Sequence, residues 1–331
     1  MKINPNIITT YQNEEVIKQI YKKEFNKSSE KIKIKPLSGG LKNEVYLIED
    51  NNQKIVLKIE PENNDTLITI DKNIMWWEKE MLKLMEKLNI PSPKLLAFDD
   101  SCKICNTPYI FMSYIEGENY QKIKETLTKE EQERIEYEIG QISHKISSIK
   151  SNNFFLPHSP NKKFNDNYEF ISYLFQKLLN DGIKNNIDLS KDTYDEITNI
   201  LESNKESLND IENISLTNAD IWDGNILIKD KKISGIVDFS DLYFCDELMT
   251  FYFHTIDGKT NEQFLKGYNN KELNNNEKIR IEIYRMYVIL KMIIDCKLKE
   301  YGRFAWMYDN LDNRIEKIKK REVKIWKNIN N

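Results

Sequence analysis

The sequence is poor in what builds disulfide frameworks, metal cages and membrane spans. It has four cysteines in 331 residues, Cys102, Cys105, Cys245 and Cys296, too few for a stapled scaffold and consistent with reduced thiols in a cytoplasmic protein. Cys102 and Cys105 form a Cys-x-x-Cys pair, but the second pair that a zinc site needs is missing. No apolar run reaches the length of a bilayer, and the opening MKINPNIITT lacks the apolar core of a signal peptide, so no membrane partner is expected. Basic residues are not in excess either. Lys plus Arg number 49 against 53 Asp plus Glu, a net charge of -4, which gives no cationic field for nucleic acid. The three histidines, His144, His158 and His254, stand in no pattern that would activate a nucleophile. With 40% hydrophobic and 31% charged residues and no internal repeat, the composition is that of a globular protein of roughly two domains.

What the sequence does hold is a dense stretch from Ser215 to Thr250, SLTNADIWDGNILIKDKKISGIVDFSDLYFCDELMT. Two apolar runs, Ile226 to Ile228 and Ile233 to Val237, flank the polar turn Lys229-Asp230-Lys231-Lys232, the pattern of a β-hairpin. Asp220 and Asn225 precede the first run and Asp238 follows the second, so a hairpin would put all three at its loop-entry end. Phosphoryl transfer needs a carboxylate to orient and deprotonate a hydroxyl, and oxygen ligands to hold magnesium on nucleotide phosphates. In that chemistry Asp220 would be the base, and Asn225 and Asp238 the metal ligands.

The spacing Asp-x-x-x-x-Asn, a hairpin, then Asp-Phe-Ser resembles the catalytic loop and metal-binding Asp of the kinase fold. More closely it is similar to the aminoglycoside phosphotransferase and choline kinase superfamily, small-molecule kinases of that fold. The family's loop normally reads His-Gly-Asp, and Asn218 stands here at the His position. An Asn amide can donate and accept hydrogen bonds, as the His does in holding the loop. The expectation is therefore a retained loop, with Asn218 beside Asp220 in the catalytic set. Downstream, Asp246-Glu247-Leu248-Met249 resembles the family's Gly-Asp-Pro-x-x-Asp-Leu brace, with Cys245 and Glu247 replacing Gly and Pro and Asp246 left as a structural residue.

Upstream parts follow in the same order. Val16, Ile17, Ile20, Tyr21 and Phe25 have helical spacing and predict an amphipathic helix over 13–25. Ile32 to Leu37, Glu44 to Glu49 and Lys54 to Ile59 read as a three-stranded meander with Ser38-Gly39-Gly40 in its first turn. A glycine turn lets backbone approach phosphates, and Lys58 one strand later can reach them. The opening resembles the family's Leu-Ser-Gly-Gly-Leu. A helix from Ile74 to Leu88 ends at Asn89 and Pro91. It offers Glu78 and Glu80 as partners for Lys58, and the spacing of Glu78 from Leu82 and Met85 is that of the family's pairing Glu. Strands at Lys94 to Phe98 and from Tyr109 lead to Gly117. There the resemblance implies that adenine bonds to the carbonyl of Ser113 and the amide of Ile115, with Met112 at the back of the pocket. Beyond Gly117 helical periodicity takes over. Thr128 and Glu131 make a capping box, and helices are predicted over Phe164–Leu179, Tyr194–Leu208, Arg280–Cys296 and Asn310–Asn328.

The expected fold is α+β and protein-kinase-like, a two-lobe fold with a small antiparallel β lobe carrying one helix and a larger, mainly helical lobe. Residues 1–112 would bind nucleotide, 113–117 would be the hinge, and 118–331 would hold the catalytic and acceptor sites. The resemblance runs from Leu37 to Phe253. It implies transfer of the γ-phosphoryl group of ATP or GTP, with Mg2+, to a hydroxyl of a small molecule, foremost a cationic one such as an aminoglycoside, with choline, another amino alcohol or a sugar as alternatives. A protein acceptor fits less well: Ile221-Trp222-Asp223-Gly224 holds no Lys or Arg, and no segment ending in Ala-Pro-Glu follows Asp238. A nucleotide-binding pseudokinase, with Asn218 marking lost catalysis, is the rival of another class. For a cationic acceptor, the carboxylates and rings of Asp241, Glu247, Asp295, Glu300, Tyr301, Trp306 and Asp309 are the candidates.

Overall fold

Short β-branched runs separated by turn formers build antiparallel sheet in the first third of the chain, and helices of period 3.6 dominate the rest. The structure, a computed structural model, describes residues 12–37, 43–51, 53–62, 67–72, 74–251 and 261–329, with side chains as far as residue 320. Ser38, Gly39, Gly40 and His254 lie outside the described residues. The chain divides into two units, and elements are numbered along the sequence.

The first unit comprises residues up to 67 together with 72–127 and 223–240. Its main sheet contains β1 (Lys33–Pro36), β2 (Glu44–Asp50), β3 (Gln53–Ile59), β4 (Leu95–Asp99) and β5 (Tyr109–Ser113), in the antiparallel order β1-β2-β3-β5-β4. Helix α1 (Glu14–Phe25) starts where the Asn13 side chain accepts the Glu15 amide, and stops at Asn26, left-handed with φ 49°. Its Ile17, Ile20 and Tyr21 share a core with Tyr46, Ile48, Leu57 and Phe111 of the sheet. Burying each such side chain contributes about 1.5–3 kcal/mol. Helix α2 (Met75–Lys87) is held at its amino end by Glu60, whose carboxylate accepts the Met75 amide at 2.9 Å. A second sheet joins β6 (Glu118–Asn119), which leads into α3 (Tyr120–Ile123), to the hairpin of β9 (Ile226–Lys229) and β10 (Lys232–Ile236). The hairpin turn has Asp230 at φ 50° and Lys231 at φ 62°, the primed geometry that matches strand twist.

The second unit holds residues 68–71, 128–222 and 241 onward. Its helices are α4 (Lys129–Ile146), α5 (Asn167–Lys184), α6 (Lys191–Ser203), α7 (Lys205–Asn209), α8 (Glu262–Gly267), α9 (Asn275–Leu298) and α10 (Ala305–Ile329). The Thr128–Glu131 capping box is present, each side chain bonding the other's backbone amide. The single helix expected over Tyr194–Leu208 is broken at Asn204, whose side-chain amide donates to the Ile200 carbonyl at 2.8 Å. That is the local competition with the helix ladder that Asn offers. A third sheet, not foreseen, sets β8 (Ile214–Asn218) between β7 (Lys150–Ser151) and β11 (Leu242–Asp246). Helix α9 is buried on nearly all sides and forms the axis of this unit. Among the described residues no helix is long and apolar enough to cross a membrane.

Candidate functional site

Lys58 points from β3 into the interior with 6% of its surface exposed, and Glu78 in the first turn of α2 keeps 1%. The Lys58 ammonium donates to both Glu78 oxygens, at 2.9 and 2.8 Å, and to Asp238 Oδ1 at 3.1 Å. Burial works against the charge, but the Asp238 and Glu78 carboxylates override it and hold Lys58 above the ordinary lysine range. Glu80 takes no part in this: it is paired with Lys79 at 3.3 Å and Lys83 at 3.1 Å near the surface.

Asp238 leaves β10 in the left-handed region at φ 63°, a conformation that costs on the order of 1 kcal/mol outside glycine and collects at functional sites. Lys58 holds its Oδ1 from one side, and Ser240 donates to the same atom at 2.8 Å. Ser240 is a contact that the sequence pattern did not single out. The Asn225 carbonyl accepts the Val237 amide at 2.9 Å, so Asn225 and Asp238 flank the open end of the β9–β10 hairpin. Asn119 bonds the Gly224 carbonyl and Lys124 pairs with Asp223 at 2.8 Å, which fastens the turn just before Asn225.

At the end of β5, Met112 is buried, while Ser113 exchanges bonds with Lys94: its amide donates at 2.9 Å and its hydroxyl accepts at 2.8 Å. The segment that follows lies tight against the hairpin. A Cβ on Gly117 (φ 157°) would stand 2.5 Å from Ser234 Oγ, and one on Gly235 would stand 2.4 Å from Ile115 Cδ1. Glycine at both positions allows this approach. The backbone expected to meet adenine and the strands expected to carry the metal ligands are thus packed as one piece.

The loop expected to be catalytic, as far as Trp222, belongs to the second unit. Asn218 closes β8 with 2% exposure, and its Oδ1 accepts the Asp220 amide at 2.9 Å. The Ala219 amide donates to the Asp241 carbonyl at 2.8 Å, and the Trp222 amide to the Asp220 carbonyl at 3.0 Å. Asp220 itself is partly exposed. Asn218 Nδ2 is buried with no hydrogen-bond partner among the described residues, so the acceptor half of the amide is what the loop uses. Asn218→Ala should therefore cost about 1 kcal/mol in urea unfolding. Asn218→His, whose ring nitrogen can accept the same amide, should keep turnover within about threefold; a tenfold loss would show that the loop needs the amide itself.

Below the loop, Asp246 Oδ2 accepts from Arg280 Nε at 2.7 Å and from the Tyr284 hydroxyl at 2.8 Å, while Oδ1 accepts the Leu248 amide at 3.2 Å. This buried brace ties β11, and through it β8, to α9. Several candidate acceptor carboxylates are occupied within the chain. Asp241 pairs with Lys291 at 3.0 Å, Glu247 accepts from Tyr268 at 3.2 Å and faces Lys271 at 3.6 Å, and Asp295 pairs with Lys299. Glu300, Trp306 and Asp309 are exposed.

Among the described residues no cluster of three His, Cys, Asp or Glu side chains could cage a metal ion. The oxygen donors at hand are the Asp238 carboxylate, 35% exposed, and the Asn225 amide. That sparse, hard set fits magnesium, which takes one or two protein ligands and completes its shell with phosphates and water.

No curated protein sequence matches the chain significantly. Among solved structures, the streptomycin–ATP–APH(2")-IIa ternary complex is 17% identical, with a TM-score of 0.60 over 94% of this chain and 97% of that one. A thermostable mutant of aminoglycoside phosphotransferase APH(4)-Ia, bound to AMP-PNP and hygromycin B, is 13% identical with a TM-score of 0.63, covering 92% and 98%. A Thermobifida fusca protein assigned as a fructosamine-3-kinase is 12% identical with a TM-score of 0.66, covering 92% and 98%. These similarities show a protein-kinase-like fold. The sequence itself matches the phosphotransferase enzyme family over residues 33–272, most of its length, and the chain belongs to that family of small-molecule phosphotransferases.

Proposed function

We propose that the chain transfers the γ-phosphoryl group of ATP or GTP to a hydroxyl of a small, amine-bearing acceptor. The observation that carries this reading is the pairing of buried Lys58 with buried Glu78 and with the partly exposed Asp238, in a chain of this family and fold. Lys58, held by Glu78, would neutralise nucleotide phosphates, and the backbone of Ser38, Gly39 and Gly40 would approach them. Ser113 and Ile115 would bond the base against Met112, with 1–112 as the nucleotide lobe, 113–117 as the hinge and 118–331 as the acceptor lobe. Asn225 and Asp238 would hold magnesium, which would offset the negative charge of the nucleotide phosphates. Asp220 would take the acceptor's proton as its oxygen forms the new bond to phosphorus and the bond to the diphosphate breaks. Asn218 keeps the Asp220 amide in place.

For the acceptor, the exposed Glu300, Trp306 and Asp309 offer carboxylates and a ring to a protonated amine. The partners named in similar structures, streptomycin and hygromycin B, fit that class. The test is turnover of labelled ATP or GTP, with and without magnesium, against a panel of aminoglycosides, amino alcohols, glycated amines and neutral sugars. Label should move to an amine-bearing compound and stop moving on chelation with EDTA. Transfer to neutral sugars alone would overturn the cationic acceptor, and nucleotide binding with no turnover on any compound would favour a pseudokinase.

A further inference from the structure

Helix α9 contains one lysine in the apolar run Tyr287-Val288-Ile289-Leu290-Lys291-Met292-Ile293-Ile294, whose other residues, Met292 apart, are buried. Lys291 is largely withdrawn from solvent. Its side chain keeps 14% exposure and its ammonium lies 3.0 Å from Asp241 Oδ1 and 3.1 Å from Asp71 Oδ1, carboxylates that are themselves 9% and 1% exposed. Burial opposes the charge, but Asp241 and then Asp71 more than offset it and hold Lys291 well above the ordinary lysine range. Taking an ammonium and two carboxylates out of water is costly, and apolar side chains of the same volume would often give equal or greater stability. An expensive cluster at this position points to a use other than stability.

That use lies at Asp241. Its side-chain Oδ1 accepts from Lys291 at 3.0 Å and from the Tyr243 hydroxyl at 3.1 Å. Its main-chain carbonyl accepts the Ala219 amide at 2.8 Å, and Ala219 immediately precedes Asp220. We propose that Lys291 is a positioning residue for the catalytic loop: by gripping the Asp241 carboxylate it sets the Asp241 peptide, and that peptide sets Ala219 and the carboxylate that follows. The inference rests on the phosphotransferase reading only for its effect on turnover. The hold on Ala219 is a separate structural claim. Asp71, seven residues before Glu78 in the chain, is the second anchor that keeps Lys291 from turning away.

The decisive comparison is Asp71→Asn against the double variant Asp71→Asn/Lys291→Met. The double variant keeps the cluster's net charge at that of the wild type and, relative to Asp71→Asn, removes the grip on Asp241; the melting temperature of each variant is measured first, and both are assayed well below it. Misplacing a catalytic group by about 1 Å can cost ~100-fold. The double variant should therefore show kcat about 10- to 100-fold below Asp71→Asn, with KM for nucleotide within about threefold. Hydrogen exchange should rise at least ~10-fold at Ala219 while the amides of α1 and β3 keep their protection. A residue that served stability alone would leave the ratio of kcat to KM unmoved. Equal kcat in the two variants, or unchanged exchange at Ala219, overturns the proposal and leaves the phosphotransferase reading standing. If the wild type turns over no acceptor, that reading falls, and the exchange at Ala219 alone decides whether Lys291 holds the loop.

Discussion

Asp220→Asn is expected to lower kcat by about 1,000-fold, the middle of the range for loss of a general base. The loop should survive the change. The Asp220 amide is bonded to Asn218 Oδ1 and its carbonyl to the Trp222 amide, two backbone contacts that the substitution leaves in place. Asn is nearly isosteric with Asp, the position is partly exposed, and stability should move by less than about 0.5 kcal/mol. Nucleotide affinity should stay within about threefold, because the groups proposed to hold phosphate are elsewhere in the chain. The measurements are single-turnover phosphate transfer and nucleotide titration on the same preparation. Transfer within about fivefold of wild type would remove Asp220 from the role of base.

Much of the order of parts was legible because each depends on a short local signal. The Asp230–Lys231 turn with its flanking isoleucines announces the β9–β10 hairpin, and Thr128 with Glu131 announces the start of α4. What could not be read depends on contacts distant in sequence. The sheet of β7, β8 and β11 has strands of two to five residues, too short for an alternation to show, and its register is set by pairing Leu242 with Asn218 across the hairpin between them. Asp241 and Glu247 look like free surface carboxylates in the sequence, yet lysines far along the chain, Lys291 and Lys271, engage them. The break at Asn204 was missed because an Asn within helical periodicity gives no sign of which carbonyl it will take.

The choice between Glu78 and Glu80 shows the same division, and it carries the other large prediction. Both sit on α2 two residues apart, and periodicity alone leaves them as rivals. Packing separates them: Glu78 is 1% exposed and bidentate on Lys58, whereas Glu80, among the described residues, pairs with Lys79 and Lys83 near the surface. Removing one partner of a buried pair leaves an uncompensated charge and costs about 3–5 kcal/mol. An exposed pair contributes roughly 0–1 kcal/mol. Glu78→Ala should therefore lose about 3–5 kcal/mol in chemical unfolding and at least ~100-fold in kcat/KM, since Lys58 is then held by Asp238 alone and Asp238 is drawn from the magnesium it is proposed to hold. Glu80→Ala should change both by little, less than about twofold in kcat/KM. The Lys58 contribution has a definite sign with pH. Because its folded value is raised, its stabilisation is fully present below the unfolded lysine value of about 10.4 and is lost only as pH rises through the higher folded one. From about pH 7 to 9 the stability gap between wild type and Glu78→Ala should stay flat, then narrow in alkali. Equal losses for the two alanine variants would mean that the Lys58–Glu78 contact does not support turnover, and a gap that widens with pH would place the sensitive charge elsewhere.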